Sequence, residues 1–214
     1  MEYSELRDVF KFKVISKTRF NGNFDMPIIH GTNKIPSEII AFNEINTCKS
    51  LKDKFVHFYI DDYQFERIWT HTNKYIGKLK ACAGVIMPDF SMYSNMPKPI
   101  QIYNCFRSKL LATYFQSLKI EVIPNVIWSN EDSFNYCFDG LPKYSVVSIS
   151  TNGCLNKESK ELFLKGFNEL ILRLKPIKIL VYGSIPEELK NNDKVVKLNS
   201  RLERLQNLKK GDKI

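Results

Sequence analysis

The sequence predicts an α/β protein. Its mainly parallel sheet of five to seven strands is built from βα units, either open or rolled into an incomplete (β/α) barrel. Three observations predict it. Short apolar runs alternate with amphipathic segments of helical period, the pattern left by right-handed βαβ units. The best of these runs, Gly84-Val85-Ile86-Met87, is apolar throughout, as a strand buried on both faces is. Several runs then stop abruptly in polar residues: at Asp61-Asp62, Pro88-Asp89, Asn125, Ser150-Thr151-Asn152 and Tyr182-Gly183-Ser184. In open α/β sheets and (β/α) barrels, ligands bind outside the carboxyl ends of parallel strands, so these stops mark where a site belongs.

Taken in order, strands are expected at 38–42, 55–60, 84–87, 120–123, 145–149, 178–182 and 195–198. Helices are expected from Asp62 through Trp69, at 73–80, at 97–118, at 157–174 and briefly at 186–190. Pro97 and Pro99 suit the first turn of the long helix, whose Tyr103, Phe106, Leu110, Tyr114 and Leu118 form one apolar stripe. Residues 1–37 read as an N-terminal arm with turns at Asn21-Gly22-Asn23 and His30-Gly31-Thr32-Asn33, and Val9 to Ile15 as an edge strand or short helix. Residues 38–199 form one α/β domain, and 200–214 a basic, frayed tail. At 214 residues the chain is short for a full eight-stranded barrel, which takes about 250 residues.

Composition narrows the function classes. A hydrophobic fraction of 43% with 13% aromatics describes a chain that can build a core. No apolar run reaches the roughly 18 residues of a membrane-spanning helix. The charged N-terminus lacks the apolar stretch of a signal peptide, so the cytoplasm is the expected location and no membrane partner is expected. Five cysteines without a CxxC pair suggest neither a disulfide framework nor a zinc ribbon. The three histidines share no metal-binding spacing, although a carboxylate-held Mg²⁺ or Mn²⁺ is compatible with the acids present. A net charge of +9 favours a polyanionic partner, set against the lysine enrichment of a chain rich in Lys, Asn and Ile.

The segments YIDDYQFERIW, GVIMPDFSMYSNMP, VIPNVIW and SFNYCFDGLPKYSVVSISTNG, followed by a late VYG, occur in this order between Phe24 and Ser184. In them the chain resembles an uncharacterised domain family found largely in bacteriophages, prophages and other mobile elements. The resemblance implies a setting, and a host-cell cytoplasm, without implying a mechanism.

Candidate chemistry follows from the strand ends. Asp61 and Asp62 offer a metal ligand or a general base, with at most one facing a pocket; helix capping by Asp62 is the plainer alternative. Asp89 is the leading catalytic candidate, alone or with an acid of the 61–62 pair, against the alternative of a turn-stabilising Asp. Asn104 and Arg107, early in the long helix, offer a clamp for carboxylate or phosphate, or else aromatic stacking by the arginine. Asn125, Trp128, Ser150, Thr151 and Asn152 suit a polar ligand held between hydrogen bonds and a flat ring. His57 reads as a structural histidine in mid-strand, and Cys154 lacks an evident histidine partner. The chain has no GxSxG elbow, no GxGxxG turn and no GxxxxGK[ST] loop. Two functions are therefore expected: a metal-assisted enzyme acting on nucleic acid or a nucleotide-like ligand, or a non-enzymatic module that binds nucleic acid or a host protein.

Overall fold

Alternation within each strand decides the architecture. The computed structural model describes residues 8–154 and 159–199; the basic tail 200–214 lies outside the described residues. After a short helix α1 (Phe12–Ile15) and a hairpin of β1 (Phe20–Asn21) with β2 (Met26–Pro27), seven strands follow in parallel. They are β3 (Glu38–Ala41), β4 (Lys54–His57), β5 (Gly84–Ile86), β6 (Val122–Ile123), β7 (Val146–Ser150), β8 (Lys178–Tyr182) and β9 (Val195–Leu198). The helices between them are α2 (Asp62–Phe65), α3 (Arg67–Thr70), α4 (Thr72–Lys80), α5 (Lys98–Ser117), α6 (Ser159–Leu174) and α7 (Glu187–Lys190).

The strands form a four-stranded sheet, β3-β4-β5-β6, and a three-stranded sheet, β7-β8-β9, both wholly parallel. One parallel bridge, Asn125 to Ser148, joins them. It is secured by the Ser148 N–H on the Pro124 carbonyl and the Val126 N–H on the Ser148 carbonyl, both at 2.8 Å. Spatial order thus equals chain order, which is the order of a barrel; a doubly wound sheet reverses direction at its centre. Ile39, Phe55, Ile86, Ile123, Val146, Leu180 and Leu198, one from each strand, meet in a single interior cluster. The alternate residues Ile40, Val56, Val85, Val122, Val147 and Ile179 face outward into a second, larger core shared with the helices. Among the described residues no ladder links β3 to β9, so the sheet curls around its interior as an incomplete barrel.

The long helix buries more than the stripe the sequence predicts: Leu110 is buried, and Phe106, Tyr114 and Leu118 pack half-buried on the same core. A second face carries Gln101, Asn104, Cys105, Ser108, Leu111, Ala112 and Phe115, three of the seven polar, while Tyr103 is exposed. The helix also seats the N-terminal arm: Phe20 stacks on Phe106 with centroids 6.4 Å apart, and Gln116 exchanges two hydrogen bonds with the His30 backbone. Hydrophobicity alone did not show the polar face because that face is held by hydrogen bonds. Lys109, almost completely buried, donates from Nζ to the carbonyls of Tyr136 (3.2 Å), Cys137 (2.9 Å) and Asp139 (2.7 Å). That satisfies an ammonium which would otherwise be costly to bury.

Gly84 makes room for a ring between β4 and β5, since a Cβ there would lie 2.3 Å from the Phe55 ring. Gly84→Ala is expected to lower stability by about 1–3 kcal/mol through overpacking, read as a lower urea midpoint with an unchanged slope.

Candidate functional site

At the carboxyl ends of the strands the interior turns polar. His57 and Tyr59 leave β4 on its inner face, and Tyr182 ends β8 beside them. Tyr59 and Tyr182 stack with centroids 4.7 Å apart, and His57 lies 4.9 Å from Tyr182. The Tyr59 N–H donates to His57 Nδ1 at 3.3 Å, so that nitrogen carries no proton. Burial lowers the His57 pKa to about 4, leaving the ring neutral.

A hydrogen-bonded chain crosses this layer. Asn125 Nδ2 donates to Asp89 Oδ1 at 2.5 Å, and Asn125 Oδ1 accepts from the Tyr59 hydroxyl at 2.9 Å. The same hydroxyl pairs with Ser148 Oγ, which reaches the Leu180 carbonyl at 3.3 Å. Burial pushes the Asp89 carboxyl up to about 7; the Asn125 bond opposes the shift, and the nearby Asp62 carboxylate adds to it. Burial, then the charge of Asp89, holds the Tyr59 phenol well above its ordinary range. At neutral pH the layer therefore contains a neutral imidazole, a protonated phenol and a carboxyl group poised between its two states.

Above it opens a cleft of about 1000 Å³ whose lining includes Tyr59, Asp61, Asp89, Tyr93, Trp128 and Ser150. Trp128 packs on α6, its ring centroid 5.5 Å from that of Phe163. Its indole occupies the notch left by Gly166, where a Cβ would lie 2.2 Å from Nε1. No lysine or arginine lines the cleft among the described residues.

The sequence-predicted residues divide into three groups. Asp61, Asp89, Trp128 and Ser150 line the cleft, as does Asn152, and Asn125 lies directly beneath it. Asp62, Asn104 and Arg107 hold the loop that carries Asp89. Asp62 accepts from the Ser91 N–H (3.2 Å) and hydroxyl (2.9 Å), so its carboxylate grips this loop. On the other side Asn104 Nδ2 donates to the Ser91 carbonyl at 2.7 Å, and Arg107 Nε donates to Asn104 Oδ1 at 3.0 Å. Arg107 Nη1 reaches both Glu66 oxygens, at 2.6 and 2.8 Å, and the guanidinium lies 3.5 Å over Phe90. It thus stacks and pairs away from the cleft. Thr151 is buried, its hydroxyl donating to the Tyr182 and Ser184 carbonyls. Cys154 lines the rim, and burial raises its thiol pKa, with Asp89 adding to the shift; this disfavours the thiolate.

Among the described residues no group of three or more His, Cys, Asp or Glu gathers as a metal cage. With Asp62 engaged by Ser91, a Mg²⁺ or Mn²⁺ in the cleft would find Asp61 and Asp89 as its carboxylates among the described lining residues and would need water or ligand oxygens for the rest. The residues that sequence reasoning missed are Tyr59, Ser148 and Tyr182. A period-of-two reading toward the strand ends would have found them, since Val146, Ser148 and Ser150, like Leu180 and Tyr182, alternate onto one face.

Fold and site together define a (β/α) protein of the barrel type with a polar cleft at the carboxyl ends of its strands. Residues 18–199 match the family described as Domain of unknown function (DUF4417), and the chain belongs to that family. It is similar to the Gene 1 protein of Mycobacterium phage L5, with 36% identity over 165 residues, covering 76% of this chain and 72% of that protein. It is also similar to the Gene 1 protein of Mycobacterium phage D29, with 32% identity over 165 residues, covering 76% of this chain and 61% of that one. Both relatives are phage proteins, in keeping with the setting the motifs implied. No solved structure matches the chain.

Two expectations follow from this geometry. An acid whose folded pKa is raised keeps a proton that the unfolded chain has released, so Asp89 removes stability as pH rises from 3.8 to about 7. Neutral His57 acts oppositely, adding stability as pH rises from about 4 to 6.5. The melting temperature of the wild type minus that of Asp89→Asn should therefore fall across the Asp89 window and level off above it; a pH-independent difference would make Asp89 an ordinary carboxylate. Gly166→Ala should drive Trp128 from its notch and shift its emission to longer wavelength over the constant signal of buried Trp69. An unshifted spectrum would mean that α6 gives way instead of the indole.

Proposed function

We propose that the cleft is an active site in which Asp89 moves a proton to or from a small, uncharged polar ligand with a flat ring, of the nucleoside or nucleobase class. The observation that carries this reading is the Asp89 carboxyl, shifted to about 7 at a strand end and bonded through Asn125 to Tyr59. A carboxyl group with that pKa supplies both acid and base at neutral pH, and shifted groups of this kind concentrate at functional sites. Tyr93, exposed at the mouth, and Trp128 offer flat apolar faces, while Ser150 and Asn152 offer hydrogen bonds beside them. The carboxylates at the mouth, without a cation among the described lining residues, favour a neutral ring over a phosphate group. The phage origin of the relatives is in keeping with a nucleic-acid building block as ligand.

The test is incubation of the full chain with a panel of nucleosides, nucleobases and nucleotides, in EDTA and in Mg²⁺ or Mn²⁺, with products resolved by liquid chromatography and mass spectrometry. A product from a neutral ring compound, formed at a rate that titrates near pH 7 and falls by at least about 100-fold in folded Asp89→Asn, is expected. Turnover indifferent to Asp89→Asn, or no product from any member of the panel, would overturn the assignment.

A further inference from the structure

Because the seven barrel strands run parallel, their amino ends share one end of the barrel, opposite the cleft. A lysine stands within four residues of the start of every one of them. Lys34 precedes β3, Lys52 precedes β4, Lys80 precedes β5 and Lys119 precedes β6; Lys143, Lys175 and Lys194 do the same for β7, β8 and β9. All are exposed except Lys194, which is half-buried, and none makes an ion pair among the described residues. The same stretches hold three acids, Asp53, Glu121 and Asp193. At the strand starts themselves, Lys54 pairs with Glu38, and Lys178 Nζ donates to the Asp193 carbonyl at 2.7 Å.

Main-chain bonds fix the loops that carry this ring of lysines. The Val146 N–H donates to the Thr32 carbonyl at 2.8 Å, the Tyr144 N–H to the Leu174 carbonyl at 3.0 Å and the Ile177 N–H to the Ser145 carbonyl at 2.9 Å. The Ile179 N–H reaches the Lys194 carbonyl at 2.8 Å, and across the barrel the Ala83 N–H reaches that of Lys54 at 3.0 Å. General enrichment in lysine does not sort by end, yet the carboxyl-end cleft has Asp61 and Asp89 and no lysine or arginine among its described lining residues. Like charges gathered on one face repel each other, and a polyanion relieves that repulsion. The character of the rim selects a double helix. No arginine stands in these stretches, and lysine is a point charge suited to phosphate, without the planar fork that reads guanine edges. None of the seven lysines lines the cleft or the concavity beside the N-terminal arm, so they present an open face. Tyr144 is the single aromatic residue of these stretches, too few rings for successive unpaired bases to stack on. A duplex, with one charge per about 1.7 Å of its axis, needs only such a face of cations.

We infer that the lysine ring at the amino ends of the strands binds the phosphate backbones of double-helical DNA or RNA, without reading sequence and independently of the Asp89 cleft. The occupant follows from the placing of one exposed or half-buried lysine before each strand, on a face with neither a groove lined by these lysines nor a set of stacking rings.

The test titrates the full chain into fluorescein-labelled DNA and RNA of about 20 base pairs, in two unrelated sequences, over a range of KCl concentrations; the single strands and phosphatidylserine vesicles serve as competing partners. Duplexes of either sequence should bind alike, and at least about threefold more tightly than single strands. Log affinity should fall linearly with log salt, with a slope of about −3 to −4.5 for three to five phosphate contacts. The pair Lys52→Gln and Lys80→Gln, and separately the pair Lys34→Gln and Lys143→Gln, should each flatten the slope by more than about one unit and weaken binding at least about fivefold. Lys98→Gln with Lys165→Gln removes the same charge near the other end of the barrel and should leave the slope in place. Asp89→Asn should bind as the wild type does, so this inference and the proposed reaction can fail separately. A slope flattened equally by the Lys98 and Lys165 pair would make net charge the cause and overturn the inference. Tighter binding of single strands, a preference for one sequence, vesicle binding without duplex binding, or no duplex binding at about 50 mM KCl would each overturn it as well.

Discussion

The side chain of Asn125 is the point on which the two halves of the sheet and the polar layer both depend. A primary amide has a donor end and an acceptor end, and here they point to different strands: Nδ2 to Asp89 beyond β5, and Oδ1 to Tyr59 beyond β4. Its backbone stands opposite Ser148 in the bridge that joins the four-stranded sheet to the three-stranded one. The seam of the barrel and the floor of the cleft are thus one structure. An aspartate in its place would accept only, leaving the charged Asp89 without its donor; a leucine would remove that donor and leave the Tyr59 hydroxyl with Ser148 alone.

Around that point the chain supports the Asp89 loop from two directions. Asp62 pulls on Ser91 from the start of α2, and Asn104 does so from α5, itself braced by Arg107 and Glu66. This explains how a carboxyl group can be held desolvated at a strand end, beneath the cleft it lines. The shift in its pKa comes from burial, and burial persists because the loop is tied on both sides. Gln101 secures the neighbouring rim in the same manner, accepting from the Tyr136 hydroxyl at 3.1 Å and donating to the Met96 carbonyl at 2.6 Å. The polar face of α5 is therefore a scaffold for loops, while the same helix also seats the arm.

Much of the fold was legible. The runs that end in polar stops are strands, parallel and in chain order, and Asp61, Asp89, Asn125, Trp128 and Ser150 do gather at one end of the sheet. Legibility failed where one residue type serves two roles. Arg107 reads equally as a clamp or as a stacking arginine, and only Glu66, forty-one positions away, and Phe90 decide for packing. Thr151 reads as a ligand contact from its strand end, yet the carbonyls of Tyr182 and Ser184 claim its hydroxyl. Tyr182 is legible only as part of a polar strand stop; its stacking on Tyr59 comes from the curl of the sheet.

By itself the sequence determined the class of fold, the order of its elements and the edge at which polar groups collect, because periodicity and abrupt polarity are local signals carried by neighbouring residues. It also determined the family, through ordered motifs that span most of the chain. Only the tertiary structure decided which of the polar groups meet. Asp89, Asn125 and Tyr59 beyond three strand ends and Ser148 within a fourth strand lie as much as 89 positions apart, and a pKa set by burial belongs to their assembly, not to any one of them. Curling of the sheet brings them within hydrogen-bond reach, and no pattern within a window of sequence encodes that distance.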